Sequence, residues 1–266
     1  MFEVMKKILD LFTPNKAIDK KTFLVMVIAQ VAALLMCWIF LTPELVPKPL
    51  GILTAWKDMA ANRGLIQDLY ASTKLCFHAI GISVLVSALM AYLTLLPFFK
   101  PLGFIMSKMR FIPIAGLSFV FTLASTNGYD LKIKLLVFGM SVFIADSMVG
   151  IVQSVTDNEY NHARTIFGNE WKVIWERVIL GKAHQMWNAI KQNFAIAWAM
   201  LTFVEGLVRS DGGVGVLMLN ENKHLQLDGV FAILMSLFFV GILIDYLFGV
   251  LRNLFFPYAD LATKKR

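Results

Sequence analysis

Charged residues are scarce in this chain of 266 residues: Asp, Glu, Lys and Arg make up 16% of it, whereas 58% is apolar. A soluble domain usually has about 25% charged and about 45–50% apolar residues. The composition therefore argues against a water-soluble globule and favours a membrane protein. Glycine (17) and proline (8) are too few for a low-complexity or disordered chain.

The chain also lacks the motifs of common enzyme classes. Its two cysteines, Cys37 and Cys76, lie in apolar runs and form no CxxC pair, so neither a disulfide framework nor a metal site is expected. No HExxH or GxSxG motif is present. The one Gly-Lys pair, Gly181-Lys182, is followed by Ala183, so it is not part of a phosphate-binding GxxxxGK[ST] loop. We therefore expect a protein that is not an enzyme, has no ATPase site of its own and uses no cofactor or metal.

What the chain does have is a series of long apolar runs. About 20 mostly apolar residues are needed to cross the hydrocarbon core of a bilayer. Six runs approach that length, and they predict an all-α, polytopic fold with six transmembrane helices in one membrane domain over residues 22–255: Thr22–Leu41, Leu75–Phe99, Phe111–Tyr129, Leu135–Val155, Trp187–Val208 and Gly229–Leu251. A mixed helical pattern over Ile52–Tyr70 predicts a further helix on the outer surface.

The basic residues predict the orientation of these helices. With six spans both termini lie on one side, and the segments on that side hold 17 of the 25 Lys and Arg residues, against 8 on the other. Cytoplasmic loops carry the excess of Lys and Arg, so both termini and the segment 156–186 are predicted to be cytoplasmic. Residues 1–21 are expected to form an amphipathic interfacial helix (or a solvated one), and residues 256–266 a cytoplasmic tail.

The segment between the fourth and fifth predicted spans is the most informative one. Ala163, Ile166 and Phe167 form an apolar face that ends at Gly168, a residue suited to a left-handed helix cap. Apolar residues then recur at helical spacing from Trp171 to Ile179. The pattern predicts a helix, a glycine stop and a second helix. Such an element could dock a cytoplasmic partner or cover the base of the bundle, and the residues alone leave both interpretations open.

This segment resembles the EAA loop of ABC importer permeases, and more narrowly that of the nitrate, sulfonate and taurine permease group. That loop reads DPELLEAARSLG…RVVLP, and the matching residues here are Asp157, Glu159, Ala163, Gly168, Arg177, Val178 and Leu180. The resemblance covers roughly residues 45–255 and includes Leu45-Val-Pro-Lys-Pro49, Arg110-Phe-Ile-Pro113, Asp146-Ser147, Ala197-Trp198, Glu205, Gly212-Gly-Val-Gly215, Asp228 and Asp245. The chain departs from the pattern at His162-Ala163-Arg164, where Glu-Ala-Ala is usual, and at Gly181, where proline is usual.

The resemblance implies a permease subunit of an ATP-driven importer in a bacterial cytoplasmic (inner) membrane. Such a subunit forms the pathway for a small polar solute, such as nitrate, a sulfonate or taurine. The implied partners are a second copy of the chain in a homodimer, ATP-binding subunits, a periplasmic or lipid-anchored substrate-binding protein and membrane lipid, with no nucleic acid. The coupling helix would be Asp157–Phe167, and the residues implied in coupling to the ATPase are Asp157, Glu159, His162, Ala163, Arg164, Phe167, Gly168 and Arg177.

Ionisable residues inside the predicted spans are candidates for function, because a charge at bilayer depth is costly. Asp146, Trp198 and Glu205 are the pathway or gate candidates. Asp146 could equally stay protonated against a neighbour, and Glu205 could reach the headgroups. Asp245 lies between Gly241 and Gly249, a spacing that allows either close helix packing around a hydrogen bond or a pathway role.

Two other classes of protein stay open at this point. An ion-coupled secondary transporter would use Asp146, Glu205 and Asp245 as carriers, and internal symmetry would favour it. A non-transporting membrane scaffold would have no polar residues facing an interior.

Overall fold

The structure, a computed structural model, describes Thr13, residues 19–41, Pro43 and residues 46–257. The fold is all-helical, with 84% helix and no strand among the described residues. The interfacial helix predicted within residues 1–21 and most of the predicted tail lie outside the described residues. The chain divides into two compact units between Thr54 and Ala55, which are described separately.

The first unit contains helix α1 (Lys20–Leu41) and the beginning of α2 (Pro49–Asn62). Helix α1 has no charged residue after Lys21, and none of its most apolar window is buried. Near its end, the indole of Trp38 donates from Nε1 to the Pro47 carbonyl at 3.2 Å. An apolar helix whose side chains remain exposed matches the first predicted span.

The second unit contains the rest of the described helices. In chain order they are α3 (Leu65–Leu93), α4 (Lys100–Met109), α5 (Ile114–Leu123), α6 (Gly128–Gln153), α7 (Asp157–Phe167), α8 (Glu170–Val173), α9 (Ala183–Leu207), α10 (Val214–Lys223) and α11 (Leu227–Phe255). A short 3-10 helix, Pro97–Phe99, precedes α4, and a π-helix, Ile174–Leu180, continues α8.

Four described helices are long and apolar enough to cross a membrane: α1, α3, α6 and α11. The two segments Pro97–Met109 and Ile114–Leu123 pass the same test together as a pair bent by 113°, which gives up to five spans. Helix α9 is long enough, at 25 residues, but it does not pass, and its first half carries Lys191, Gln192 and Asn193. The chain is therefore a multi-pass membrane protein, and the predicted number of six spans is not confirmed.

The predicted third span is absent as a single helix over Phe111–Tyr129. Pro113 lies at the N-cap of α5 with an extended backbone, and α5 ends at Leu123. A residue before proline is disfavoured in the α conformation, so the chain bends at Ile112 instead of continuing α4. Asn127 then caps the next helix by accepting from the Asp130 backbone N–H at 2.8 Å.

The outer helix predicted over Ile52–Tyr70 is also two helices. The break is at Gly64, which has a φ of +72° in the left-handed region that glycine adopts readily. Helix α2 ends before it and α3 begins after it, so α3 starts ten residues earlier than the predicted second span.

The core of the second unit forms where α3 packs against α6. Ser83, Ser87 and Ala91 are small residues spaced four apart on α3, and all three are buried. Ser87 Oγ donates to the Ser141 carbonyl of α6 at 3.0 Å, and Ser83 Oγ reaches the Val137 carbonyl at 3.3 Å. Small residues let two helix backbones approach closely in a membrane, where shared hydrogen bonds and dispersion drive association.

The second unit has two distinct ends. At one end, called the elbow end, α3 and α6 finish, the segment 157–181 lies, and α9 begins. At the other, called the loop end, α9 finishes and the loop Arg209–Gly213 leads into α10.

Candidate functional site

The predicted helix at the elbow end is present with the predicted bounds, as α7. Thr156 and Glu159 form a capping box: Glu159 N donates to Thr156 Oγ1 at 3.4 Å, and Thr156 N donates to Glu159 Oε2 at 3.1 Å. At the other end Gly168 has a φ of +65°, and its N–H closes the helix on the Arg164 carbonyl at 2.9 Å. Both ends of α7 are therefore fixed by residues that the sequence provides locally.

Most of the residues that the family resemblance assigns to coupling are exposed. Ala163 is fully buried and Phe167 is half-buried, whereas the remaining residues of that set are exposed: Asp157, Glu159, His162, Arg164, Gly168 and Arg177. Tyr160 packs against the core of the bundle, and burial raises the pKa of its phenol, which stays neutral at physiological pH. The arrangement anchors α7 through Ala163, Phe167 and Tyr160 and leaves its charged side chains exposed.

The segment 157–181 is called the elbow, and its second part differs from the predicted continuous α-helix. Helix α8 is only one turn long, and the chain continues as a π-helix in which the Gly181 N–H bonds to the Glu176 carbonyl at 3.0 Å. The wider turn changes which residues share a face. Val173 and Val178 are buried, whereas Trp171 and Trp175 are 69% and 54% exposed. Arg164 of α7 pairs with Glu170 at 2.7 Å and joins the two parts.

Removing the N-cap of α7 should loosen its first turn. Thr156→Ala deletes one acceptor for an otherwise unpaired N–H, which costs about 1 kcal/mol of helix stability. Amide hydrogen exchange in the first turn of α7 is therefore expected to accelerate in Thr156→Ala. The matched control, Thr156→Ser, keeps the oxygen and should exchange like the wild type. Equal acceleration in both variants would show that the hydroxyl is not the cap.

At the loop end, three side chains from distant positions cap the N-terminus of α10. Asp68 accepts from the Gly213 N–H at 3.3 Å, Ser72 from the Val214 N–H at 2.9 Å, and Glu205 from the Gly215 N–H at 2.8 Å. Ser72 also donates to Glu205 at 2.6 Å. Negative groups at a helix N-terminus are favourable, because its N–H groups are unpaired and the helix dipole is positive there.

Close approach at this cap requires glycine. A Cβ on Gly213 would lie 2.5 Å from Glu205 Oε1, and a Cβ on Gly215 would overlap the Thr202 carbonyl. Lys132 of α6 completes the cluster: its side chain is 2% exposed, and its Nζ donates to the Gly212 carbonyl at 2.8 Å. The loop is thus held by a buried carboxylate and a buried ammonium at once, and it joins α3, α6, α9 and α10.

A second polar cluster joins the end of α2 to α10. Arg63 Nη1 donates to Glu221 at 3.1 Å and to Gln226 at 2.9 Å, while its Nε pairs with Asp58 at 2.8 Å. The pKa of Asp58 is lowered from its ordinary value because Asn62 donates a hydrogen bond to the carboxylate and Arg63 lies beside it. Asp58 therefore remains ionised well below neutral pH.

Asp146, a predicted pathway candidate, lies on α6 towards the elbow end. Its Oδ2 is 3.4 Å from Nη1 of Arg110, which follows α4, and both side chains are partly exposed. The pair links α6 to the bend between α4 and α5. Asp146 therefore has a charged partner in Arg110.

A cavity of about 530 Å³ lies between α9 and α11. Its wall is mostly apolar and includes three aromatic side chains, and the residues that line it are Lys191, Phe194, Ala195, Trp198, Ala199, Thr202, Leu234, Leu237, Phe238, Gly241, Ile242 and Asp245. The volume falls within the range of small-molecule sites, about 300–1,000 Å³. It contains Trp198 but neither Asp146 nor Glu205.

Lys191 and Asp245 supply the charges of this cavity. Lys191 Nζ is 3.1 Å from Asp245 Oδ2, and the side chains are 30% and 62% exposed. Asp245 was expected either in tight packing around a hydrogen bond or in a pathway, and its exposure does not fit tight packing within the described residues. The Trp198 indole donates to the Leu237 carbonyl at 3.1 Å and rests against Gly241, where a Cβ would lie 3.4 Å from Nε1.

Filling the space at Gly241 should displace the Trp198 indole. Gly241→Leu adds a side chain against the ring and costs the Trp198–Leu237 hydrogen bond, so we expect destabilisation of about 1–3 kcal/mol, as for other overpacked positions. Thermal unfolding in detergent measures it. Gly81→Leu is the matched control, because nothing lies within 4 Å of an added Cβ at Gly81. Equal losses in the two variants would contradict the proposed contact.

Sequence reasoning singled out Trp198 and Asp245, both of which line this cavity, but it did not predict that Lys191 pairs with Asp245. The available signal was a lysine and an aspartate of opposite sign, each inside an apolar run. The buried residues Lys132 and Ser72 were missed as well. Within the part of the chain that the structure describes, no three His, Cys, Asp or Glu side chains are grouped so that they could hold a metal ion.

Comparison with known proteins gives a match in fold but none to a protein-family model or a curated sequence. No protein-family model and no curated protein matches the sequence. Among solved structures, a chain from the crystal structure of an amino acid ABC transporter with histidines superimposes with a TM-score of 0.58. The match has 16% identity and covers 75% of this chain and 96% of the other. This chain has the fold of an ABC transporter chain. The nitrate, sulfonate and taurine type is not confirmed.

Proposed function

We propose that this protein is the permease subunit of an ATP-driven ABC importer in a bacterial cytoplasmic membrane. The observation that carries the proposal is the fold shared with a chain of an ABC transporter over 75% of this chain. The elbow supports it from a different direction, because a helix fixed at both ends and charged on its free face suits a mechanical contact with a separate ATPase.

The proposed assembly follows from the elements described above. Six spans arise if the bent pair α4–α5 counts as one and α9, whose Asn193 is buried and whose Lys191 lines the cavity, counts as another. The membrane domain then covers residues 22–255, with the interfacial segment 1–21, the loop 156–186 and the tail 256–266 on the cytoplasmic side. A second copy of the chain completes a homodimer around the pathway.

Each proposed partner binds a different part of the chain. The ATP-binding subunit docks against α7, and Asp157, Glu159, His162, Arg164 and Arg177 provide polar contacts. Ala163 and Phe167 anchor the helix, and Gly168 ends it. A periplasmic or lipid-anchored binding protein delivers the solute at the loop end, beside α10. The solute is a small polar molecule such as nitrate, a sulfonate or taurine. Of the predicted pathway residues, Trp198 lines the cavity. Glu205 instead caps α10, and Asp146 pairs with Arg110 beside the bend between α4 and α5.

Nucleotide binding would drive transport through rigid movements of the elbow. The closing ATPase pulls α7, and Arg164–Glu170 and the π-helix transmit that displacement to the start of α9. Because α9 carries one wall of the cavity and ends at the cap of α10, one movement changes access at both ends. A two-state membrane domain of this kind is biased by whichever state the ATPase binds better.

Co-expression tests this proposal. The chain is expressed with the ATP-binding subunit encoded by a neighbouring reading frame and purified through a tag on the chain. We expect the two to copurify and solute uptake into proteoliposomes to require ATP. Uptake that continues without nucleotide, and that follows an ion gradient, would instead identify the secondary transporter. No specific contact favours that alternative, because Asp146 and Asp245 each form an ion pair and Glu205 caps α10.

A further inference from the structure

The face that carries Lys191 and Asp245 is unsuited to contact with lipid. Lys191 lies eight residues inside α9 and Asp245 ten residues before the end of α11, or about 12 Å and about 15 Å from those ends at 1.5 Å per residue. Both side chains are partly exposed. Ionisable groups within membrane-spanning helices usually face a bundle interior or a water-filled cavity, since exposure to hydrocarbon is costly. The cavity between α9 and α11 is therefore expected to open to water or to solute.

The charges of the cavity select among solutes. It has one ammonium and one carboxylate, 3.1 Å apart, so its net charge is zero. An anion that paired with Lys191 alone would leave Asp245 without a partner, and a cation that paired with Asp245 alone would leave Lys191 unpaired. Either case leaves one charge uncompensated in a mostly apolar cavity, which is unfavourable even though partial exposure of the pair reduces the cost. A zwitterion replaces the one ion pair by two, and it leaves no charge uncompensated.

The walls of the cavity restrict the uncharged part of a bound solute. Phe194 and Trp198 stack with their centroids 5.9 Å apart, and Phe238 closes the wall from α11. These rings offer an apolar surface to a side chain, and the face of an indole also attracts an ammonium group. The small residues Ala195 and Gly241 leave room between the two helices.

We propose that the cavity between α9 and α11 is a binding site for a small zwitterionic solute with an apolar body, held by Lys191 through its acidic group and by Asp245 through its ammonium group. This inference rests on the proposed function and narrows its solute class: it favours an amino acid or an aminosulfonate over nitrate or a simple sulfonate. Trp198 and Phe194 contact the apolar body.

Matched ligands test the pairing. The full chain in lipid nanodiscs is titrated calorimetrically with L-leucine, with 4-methylpentanoate, which lacks only the ammonium group, and with 3-methylbutylamine, which lacks only the carboxylate. Taurine distinguishes an aminosulfonate from an amino carboxylate. We expect L-leucine or taurine to bind at least about 10-fold more tightly than either single-charge analogue, because a site built for two charged groups rejects ligands that lack one.

Two variants make the prediction specific. Asp245→Asn should weaken zwitterion binding by at least about 10-fold and strengthen 4-methylpentanoate binding, since Lys191 is then free for an anion. Lys191→Met should weaken zwitterion binding equally and strengthen 3-methylbutylamine binding. The exchanged pair, Lys191→Asp with Asp245→Lys, should recover part of the zwitterion affinity. A purely structural ion pair would not exchange its ligand preference in this way.

The site would be refuted by equal binding of the zwitterion and its analogues, or by no binding of any zwitterion. Undiminished binding in the double variant Lys191→Met with Asp245→Asn would refute it as well. Crosslinking of Phe238→Cys between two copies, without zwitterion binding, would show that a second copy covers this face. The ATPase is copurified from the same preparations. An intact ATPase complex without zwitterion binding refutes only the site, whereas zwitterion binding without an ATPase partner refutes only the proposed function.

Discussion

Glu205→Ala is expected to destabilise the protein by about 2–6 kcal/mol, because a buried donor left without its acceptor costs about 1–3 kcal/mol and two donors lose theirs. The substitution leaves the Gly215 N–H and the Ser72 hydroxyl without their acceptor, and it removes a negative charge that acts on Lys132. The first turn of α10 should then detach from α3 and α9. A large fall in the thermal unfolding midpoint in detergent, with faster amide exchange at residues 212–216, is the expected measurement.

A double-mutant cycle separates the charge from the packing. Glu205→Gln keeps an acceptor but no charge, so its loss should be smaller than that of Glu205→Ala. Lys132→Met combined with Glu205→Gln should cost less than the sum of the single losses, because each single variant leaves an uncompensated charge and the double variant leaves none. Asp228→Ala removes an exposed carboxylate at the start of α11 and should cost well under about 1 kcal/mol. Additive losses, or an equal loss in Asp228→Ala, would contradict the assignment.

The elbow could be predicted from the sequence because its signals are local. The cap at Thr156 and the stop at Gly168 lie within α7 or next to it, and each acts on backbone groups three or four residues away. Helix α7 therefore has the predicted bounds. The π-helix that follows could not be foreseen in the same way, since its wider turn reflects packing of Val173 and Val178 against the bundle and not the spacing of apolar residues alone.

The third span shows how an apolar run misleads. Residues 111–129 have the hydropathy of a single span, but Pro113 and Asn127 act as helix boundaries inside the run. Hydropathy measures transfer to lipid and does not detect backbone breaks. A proline and an Asn-Gly pair were visible in the sequence and could have divided the run.

The polar sites depended on tertiary contacts and were predicted only in part. Glu205 was recognised as unusual, but the cap that it forms joins residues more than a hundred positions apart in the chain. Lys191 and Asp245 meet across two helices whose relative rotation no periodicity fixes. The sequence indicated which charges were costly, whereas the structure identified their partners.

Gly168→Pro is expected to reduce ATP-driven uptake by at least about 10-fold while the membrane bundle stays folded. Proline fixes φ near −65° and has no N–H, whereas Gly168 has a φ of +65° and donates to the Arg164 carbonyl. The stop of α7 and the Arg164–Glu170 pair should both be lost, so that movement of the ATPase no longer reaches α9. Uptake into proteoliposomes and ATPase activity of the same preparation provide the measurement.

The control for this substitution is Gly168→Asn. Nothing lies within 4 Å of an added Cβ at Gly168, and asparagine tolerates the left-handed conformation better than most residues, so this variant should retain most of the uptake. A deletion of residues 159–167 should abolish both ATPase association and uptake. If Gly168→Pro and the deletion both transport as well as Gly168→Asn, the elbow does not transmit the energy of ATP. Retained ATPase activity with lost uptake would instead show that the two parts have become uncoupled, because a helix without its fixed end can still bind its partner but cannot act as a rigid lever.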